Sequence, residues 1–166
     1  VIKEEALLSI AEIAIAVIGF AGIVSALRPQ SSPSADAMHS LRIRIMVEAS
    51  ASVMVFAFLP FVLSGAFEVE RIWAIGSGAI AATAPLHIGS VWARQRRLFG
   101  TALLRETLLF DSFVMFLAIA VEAVLIVNCF GWLFKPRFGA YLLGVLLPLG
   151  VAVAMFIRAI FAAEAE

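Results

Sequence analysis

"AEIAIAVIGFAGIVSAL", residues 11–27, is apolar apart from Glu12 and Ser25. With residues 6–10 ahead of it, the run reaches the roughly 20 apolar residues that an α-helix needs to cross a bilayer. It exceeds the apolar core of a secretory signal, about 7–15 residues. Its flank, Val1-Ile2-Lys3-Glu4-Glu5, is not the basic segment such a signal carries. The stretch therefore reads as a retained membrane helix, and the glutamate inside it becomes the first question about function.

The rest of the chain repeats the pattern. Apolar runs at 6–27, 41–66, 72–93, 107–134 and 138–160 are each long enough to span, and the third contains no Asp, Glu, Lys or Arg. The 166 residues are 63% hydrophobic and 14% charged, where soluble domains average about 45–50% and about 25%. Lipid must cover the excess. Inside hydrocarbon a segment has to satisfy its own backbone groups, which leaves helices or a closed barrel. The alternating ten-residue pattern of a barrel is absent. The expected fold is all-α: one transmembrane helical bundle over 1–166, with about five spans and short loops. The connections predicted are "RPQSSPSADAMHS" (28–40), "EVER" (68–71), the basic "RQRRLFG" (94–100) and "KPR" (135–137), where Pro136 cannot continue a helix. Pro60, Pro85 and Pro148 fall inside spans, where a proline removes one backbone donor.

Five spans put Arg28, Arg42, Arg44, Arg94, Arg96, Arg97, Arg105 and Arg158 on one side, and Lys3, Arg71, Lys135 and Arg137 on the other. The side richer in Lys and Arg faces the cytoplasm. That predicts an outside N-terminus and a cytoplasmic C-terminus.

Four carboxylates and a histidine lie within the spans: Glu12, Glu48, His87, Asp111 and Glu122. A charge at the bilayer centre costs at least about 2.5–3.5 kcal/mol, so each is a candidate site. On a rise of 1.5 Å per residue, Glu12 and Glu122 both fall about 8–9 Å from the outer boundary. Glu48, His87 and Asp111 fall about 6–10 Å from the inner one. Glu12 and Glu122 have no basic residue at their depth and are the candidates for cation or proton binding. Such groups must be protonated, share a proton, face water or hold a cation. Glu48, with Arg44 four residues before it, His87 and Asp111 form a secondary polar cluster. Each has a plainer reading as well: an i,i+4 ion pair for Arg44–Glu48, a carboxylate favouring the helix dipole for Asp111, and a packing histidine for His87. Glu12 shares a helical stripe with Ala16, Gly19, Ile23 and Ala26, small enough for close helix approach, so it is expected on a packing face. Ala74, Gly78 and Ala82 offer a similar stripe on the third helix.

Several classes are disfavoured. Lysine occurs only at Lys3 and Lys135, so a retinal Schiff base has no deep attachment point. His39 and His87 are the only histidines, a poor basis for bis-histidine haem, and Cys129 is the only cysteine. Nucleotide-binding and hydrolase motifs are absent. No cofactor is expected, and a net charge of zero gives no bulk attraction to nucleic acid.

Glu12-Ile13 followed by Gly19-Phe20-Ala21-Gly22-Ile23-Val24, and more loosely "LRIRIMVEAS" (41–50), resembles the start of uncharacterised small bacterial membrane proteins. The resemblance implies a bacterial inner membrane and carries no activity with it.

Three functions follow from these residues. The first is a homo-oligomeric cation or proton channel or transport protein. Five short helices enclose little space alone, and small-residue stripes favour association. The second is a non-conducting membrane subunit or sensor whose polar residues fix packing. The third is a membrane enzyme built on Glu48, His87 and Asp111. The partners expected are the lipid bilayer, further copies of the chain, and cations or protons.

Overall fold

The computed structural model describes residues 2–27, 33–99, 104–132 and 137–162. They form five helices: α1 Ile2–Leu27, α2 Pro33–Leu63, α3 Val69–Phe99, α4 Leu104–Phe130 and α5 Phe138–Ala162. There is no strand among the described residues. Each helix holds a stretch long and apolar enough to cross a membrane: Lys3–Ala26, Ala37–Leu63, Val69–Leu98, Ser112–Phe130 and Phe138–Ile160.

The helix ends differ from expectation in instructive ways. α2 begins at Pro33, well inside the segment expected to be a loop. A proline is tolerated in the first turn because its missing N–H would have no intrahelical partner there. α2 stops at Leu63, where the Ser64 and Phe67 amides bond back to the Pro60 and Leu63 carbonyls at 2.9 and 3.1 Å. The basic segment at 94–99 is helical and closes α3. Arg96 and Arg97 in its last turn suit the negative end of the helix dipole, and the Arg96 guanidinium lies 3.8 Å from the Trp92 ring centroid. α4 ends at Gly131, whose φ of 64° is the left-handed conformation that terminates helices. Its amide bonds the Val127 carbonyl at 3.0 Å. The turn expected at Lys135 and Pro136 lies outside the described residues.

The chain divides into two compact units, Val1–Phe58 with Pro148–Glu166, and Leu59–Leu147. In the first, α1 and α2 pack with the later part of α5 around Val17, Ala21, Met46, Ala49 and Ala152. The contact faces are rich in small side chains: Ala11, Ala14 and Ala21 on α1, and Ala49, Ser50 and Ala57 on α2, are all buried. Lipid tails are as apolar as leucine, so close van der Waals packing rather than escape from water holds such helices together. Phe20 and Phe156 pair at 6.0 Å, and the Arg42 guanidinium donates to the Arg158 carbonyl at 3.4 Å.

In the second unit α3 packs on α4 and on the start of α5. Gly76 faces the fully buried Tyr141 so closely that a Cβ would come within 2.6 Å of the ring. Trp73 completes this cluster, edge-on to Phe138 at 5.2 Å and tilted against Tyr141 at 5.6 Å. On the α4 side, a Cβ at Gly78 would meet the Cys129 sulfur at 2.8 Å. Gly78 therefore serves contact within the chain.

Candidate functional site

The face of α1 that carries Glu12 is the reverse of the expected one. Leu7, Ala11, Ala14, Val17 and Ala21 form the buried stripe, while Glu12, Ala16, Gly19, Ile23 and Ala26 are all exposed. At 100° per residue the Glu12 stripe lies nearly opposite the buried one. α1 has small residues on two sides, and the alanine stripe takes the contact inside the chain. Around Gly19 and Gly22 a side chain would meet nothing within 4 Å.

Glu122 is half-buried on α4 and flanks the buried line of Ala118 and Leu125. Among the described residues neither Glu12 nor Glu122 has a hydrogen-bond or ion-pair partner.

The secondary residues divide. Arg44 Nε donates to Glu48 Oε1 at 2.8 Å, an i,i+4 pair whose arginine side chain is 61% exposed and glutamate 26%. Neutralisation by a neighbour one turn away explains how Glu48 is carried. His87 is half-buried on α3, and its backbone carbonyl accepts the Ser90 hydroxyl at 2.8 Å. Asp111 stands on α4, and its side chain lies outside the described residues. Glu48 belongs to the first compact unit, and His87 and Asp111 to the second. Among the described residues no three His, Cys, Asp or Glu side chains come together as a metal site would require.

The best-formed polar arrangement is one that a search for charges misses. Asn128, fully buried on α4, donates through Nδ2 to the equally buried Ser77 hydroxyl on α3 at 2.8 Å. Its Oδ1 accepts the Arg137 amide at 2.8 Å, and its Nδ2 also reaches the Arg137 carbonyl at 3.3 Å. One amide thus ties α4 both to α3 and to the segment entering α5. A lone asparagine in an apolar run was the available signal. Neutral polar groups in hydrocarbon need partners as charges do, at lower cost.

Comparisons with known protein families, with curated proteins and with solved structures each returned no match. The class therefore rests on the helices themselves. This is a multi-pass membrane protein with five apolar helices of spanning length.

Proposed function

We propose that the chain is a homo-oligomeric cation or proton channel or transport protein, using Glu12 and Glu122. The observation that carries this reading is Glu12: a carboxylate ten residues into an apolar helix, exposed and without a partner among the described residues, on a face of small residues where a side chain at Gly19 would meet nothing within 4 Å. Left against lipid, such a charge costs at least about 2.5–3.5 kcal/mol near the bilayer centre. A second copy docking on this face, or a water path along it, removes that cost, and either outcome brings a carboxylate to a route for ions. The excess of arginine on one side supports a cytoplasmic C-terminus, and the likeness of the first helix supports a bacterial inner membrane.

Reconstitution tests the reading. Proteoliposomes are expected to pass protons or monovalent cations. Glu12→Gln and Glu122→Gln, which keep shape and hydrogen bonding, should preserve particle mass while depressing flux at least several-fold. Flux indifferent to both substitutions would overturn it.

A second reading is favoured by a separate observation. The Asn128–Ser77–Arg137 network joins helices, and the Arg44–Glu48 pair neutralises a carboxylate within α2, so these polar groups serve structure. If Glu12 and Glu122 act alike, the protein is a non-conducting subunit or sensor. The glutamine variants would then preserve assembly, and the liposomes would be ion-tight with or without them.

A further inference from the structure

Two contacts fix the register of α3 against α4. Ser77 meets Asn128 at 2.8 Å, and Gly78 faces Cys129 with room for no side chain. The helices run antiparallel, and residues seven apart return to the same face of a helix. Seven residues onward from Gly78 is Pro85, and seven residues back from Cys129 is Glu122. Pro85 and Glu122 therefore stand at one level on the same edge of the α3–α4 seam. Pro85 is exposed and Glu122 half-buried, as residues at a seam edge would be.

Pro85 has no N–H, so the carbonyl one turn before it, that of Ala81, loses its helical donor. At 100° per residue Ala81 falls between Ser77 and Pro85 around α3, on the side where Ser77 and Gly78 meet α4. Among the described residues no side chain donates to it; the nearby Thr83 hydroxyl is directed instead to the Ala79 carbonyl at 2.8 Å. A carbonyl that proline deprives of its helical donor and a carboxyl group without a partner among the described residues thus stand on one edge of the seam, about one helical turn apart along it. Both needs are met if the carboxyl keeps its proton.

The geometry points to a proton-holding site in which the neutral Glu122 carboxyl donates a hydrogen bond to the Ala81 carbonyl that Pro85 leaves free. A proton suits the site better than a metal ion. One carboxyl and one carbonyl offer far fewer oxygens than the 6–8 that calcium takes, and magnesium demands a near-ideal octahedron. The nearest titratable side chain on α3 is His87, two positions past Pro85 and so on a different flank. The part of α5 in this unit, 138–147, has no Asp, Glu, Lys or Arg. The inference deepens the proposed function, since it names the species held at Glu122 and the backbone group that holds it.

Infrared spectroscopy of the reconstituted full chain at neutral pH tests it without reference to flux. The wild-type minus Glu122→Gln difference should contain a protonated-carboxyl band that shifts on deuteration. In Pro85→Ala, which restores the amide to Ala81 and favours the helix, that band should move to higher wavenumber as the carboxyl loses its acceptor. As a second measurement, a 13C label on the Ala81 carbonyl should report an amide shift between the wild-type chain and Glu122→Leu, which offers no donor. Absence of the carboxyl band, an unchanged band in Pro85→Ala, or a silent Ala81 label would each overturn the site. A band that behaves as expected in a chain that passes no ions would leave this site standing and remove the proposed conduction.

Discussion

Asn128 and Ser50 are both buried polar residues in apolar helices, and they make opposite predictions. Asn128 Oδ1 and Nδ2 are both engaged. Replacing it with leucine leaves the Ser77 hydroxyl and the Arg137 amide without their partner, at about 1–3 kcal/mol for each group that stays buried. A lower thermal midpoint in detergent is expected for Asn128→Leu. Ser50 is fully buried and its hydroxyl has no partner among the described residues. Ser50→Ala removes an unsatisfied group and almost no volume, so its midpoint should hold or rise. A fall comparable to that of Asn128→Leu would show that the Ser50 hydroxyl has a partner outside the described residues. At this scale the sequence was legible for charges and blind to direction. It marked Glu12 as an oddity, yet two stripes of small residues compete on α1, and their composition does not say which one the rest of the chain will cover. Asn128 is not legible in hydropathy because a single amide changes the mean of a 19-residue span very little, while its geometry depends on residues far away in sequence.

Helices carry their own test. Gly19 and Gly78 both belong to small-residue stripes, but their surroundings differ. A side chain at Gly19 would meet nothing within 4 Å, whereas one at Gly78 collides with the Cys129 sulfur at 2.8 Å. Gly19→Leu should leave thermal stability nearly unchanged and lower the mass of the detergent-solubilised particle, because bulk on the open face of α1 obstructs a docking copy. Gly78→Leu should lower stability by about 1–3 kcal/mol or more through overpacking of α3 against α4, with disturbed assembly only as a consequence. Unchanged mass for Gly19→Leu would move any association to another face. The existence of all five helices could be read from hydropathy, since each run is long and uninterrupted. Their ends could not. The extension of α2 back to Pro33 and of α3 through the arginines to Phe99 comes from helix propensity and dipole effects of about 1 kcal/mol or less. A hydropathy reading treats the same residues simply as polar.

Across the molecule the charge distribution predicts an orientation. Eight arginines on one side against four basic residues on the other predict a cytoplasmic C-terminus and an external N-terminus. Reporter fusions at the two ends should therefore read opposite compartments. Two ends in one compartment would contradict five spans. Moving the cluster at Arg94, Arg96 and Arg97 to neutral residues should yield mixed orientation, since these are three of the eight.

The Asn128 network also bears on the order in which the protein is built. A growing chain delivers α3 before α4, so the Ser77 hydroxyl is already present when Asn128 arrives. The Arg137 backbone follows nine residues later. Until it does, the asparagine oxygen lacks the donor it has in the folded chain. Arrival of Arg137 closes the bonds that join α3, α4 and the entry to α5. If this closure completes insertion, chains truncated before Arg137 should remain longer in contact with the insertion machinery than chains extended just beyond it, as crosslinking of stalled chains would measure.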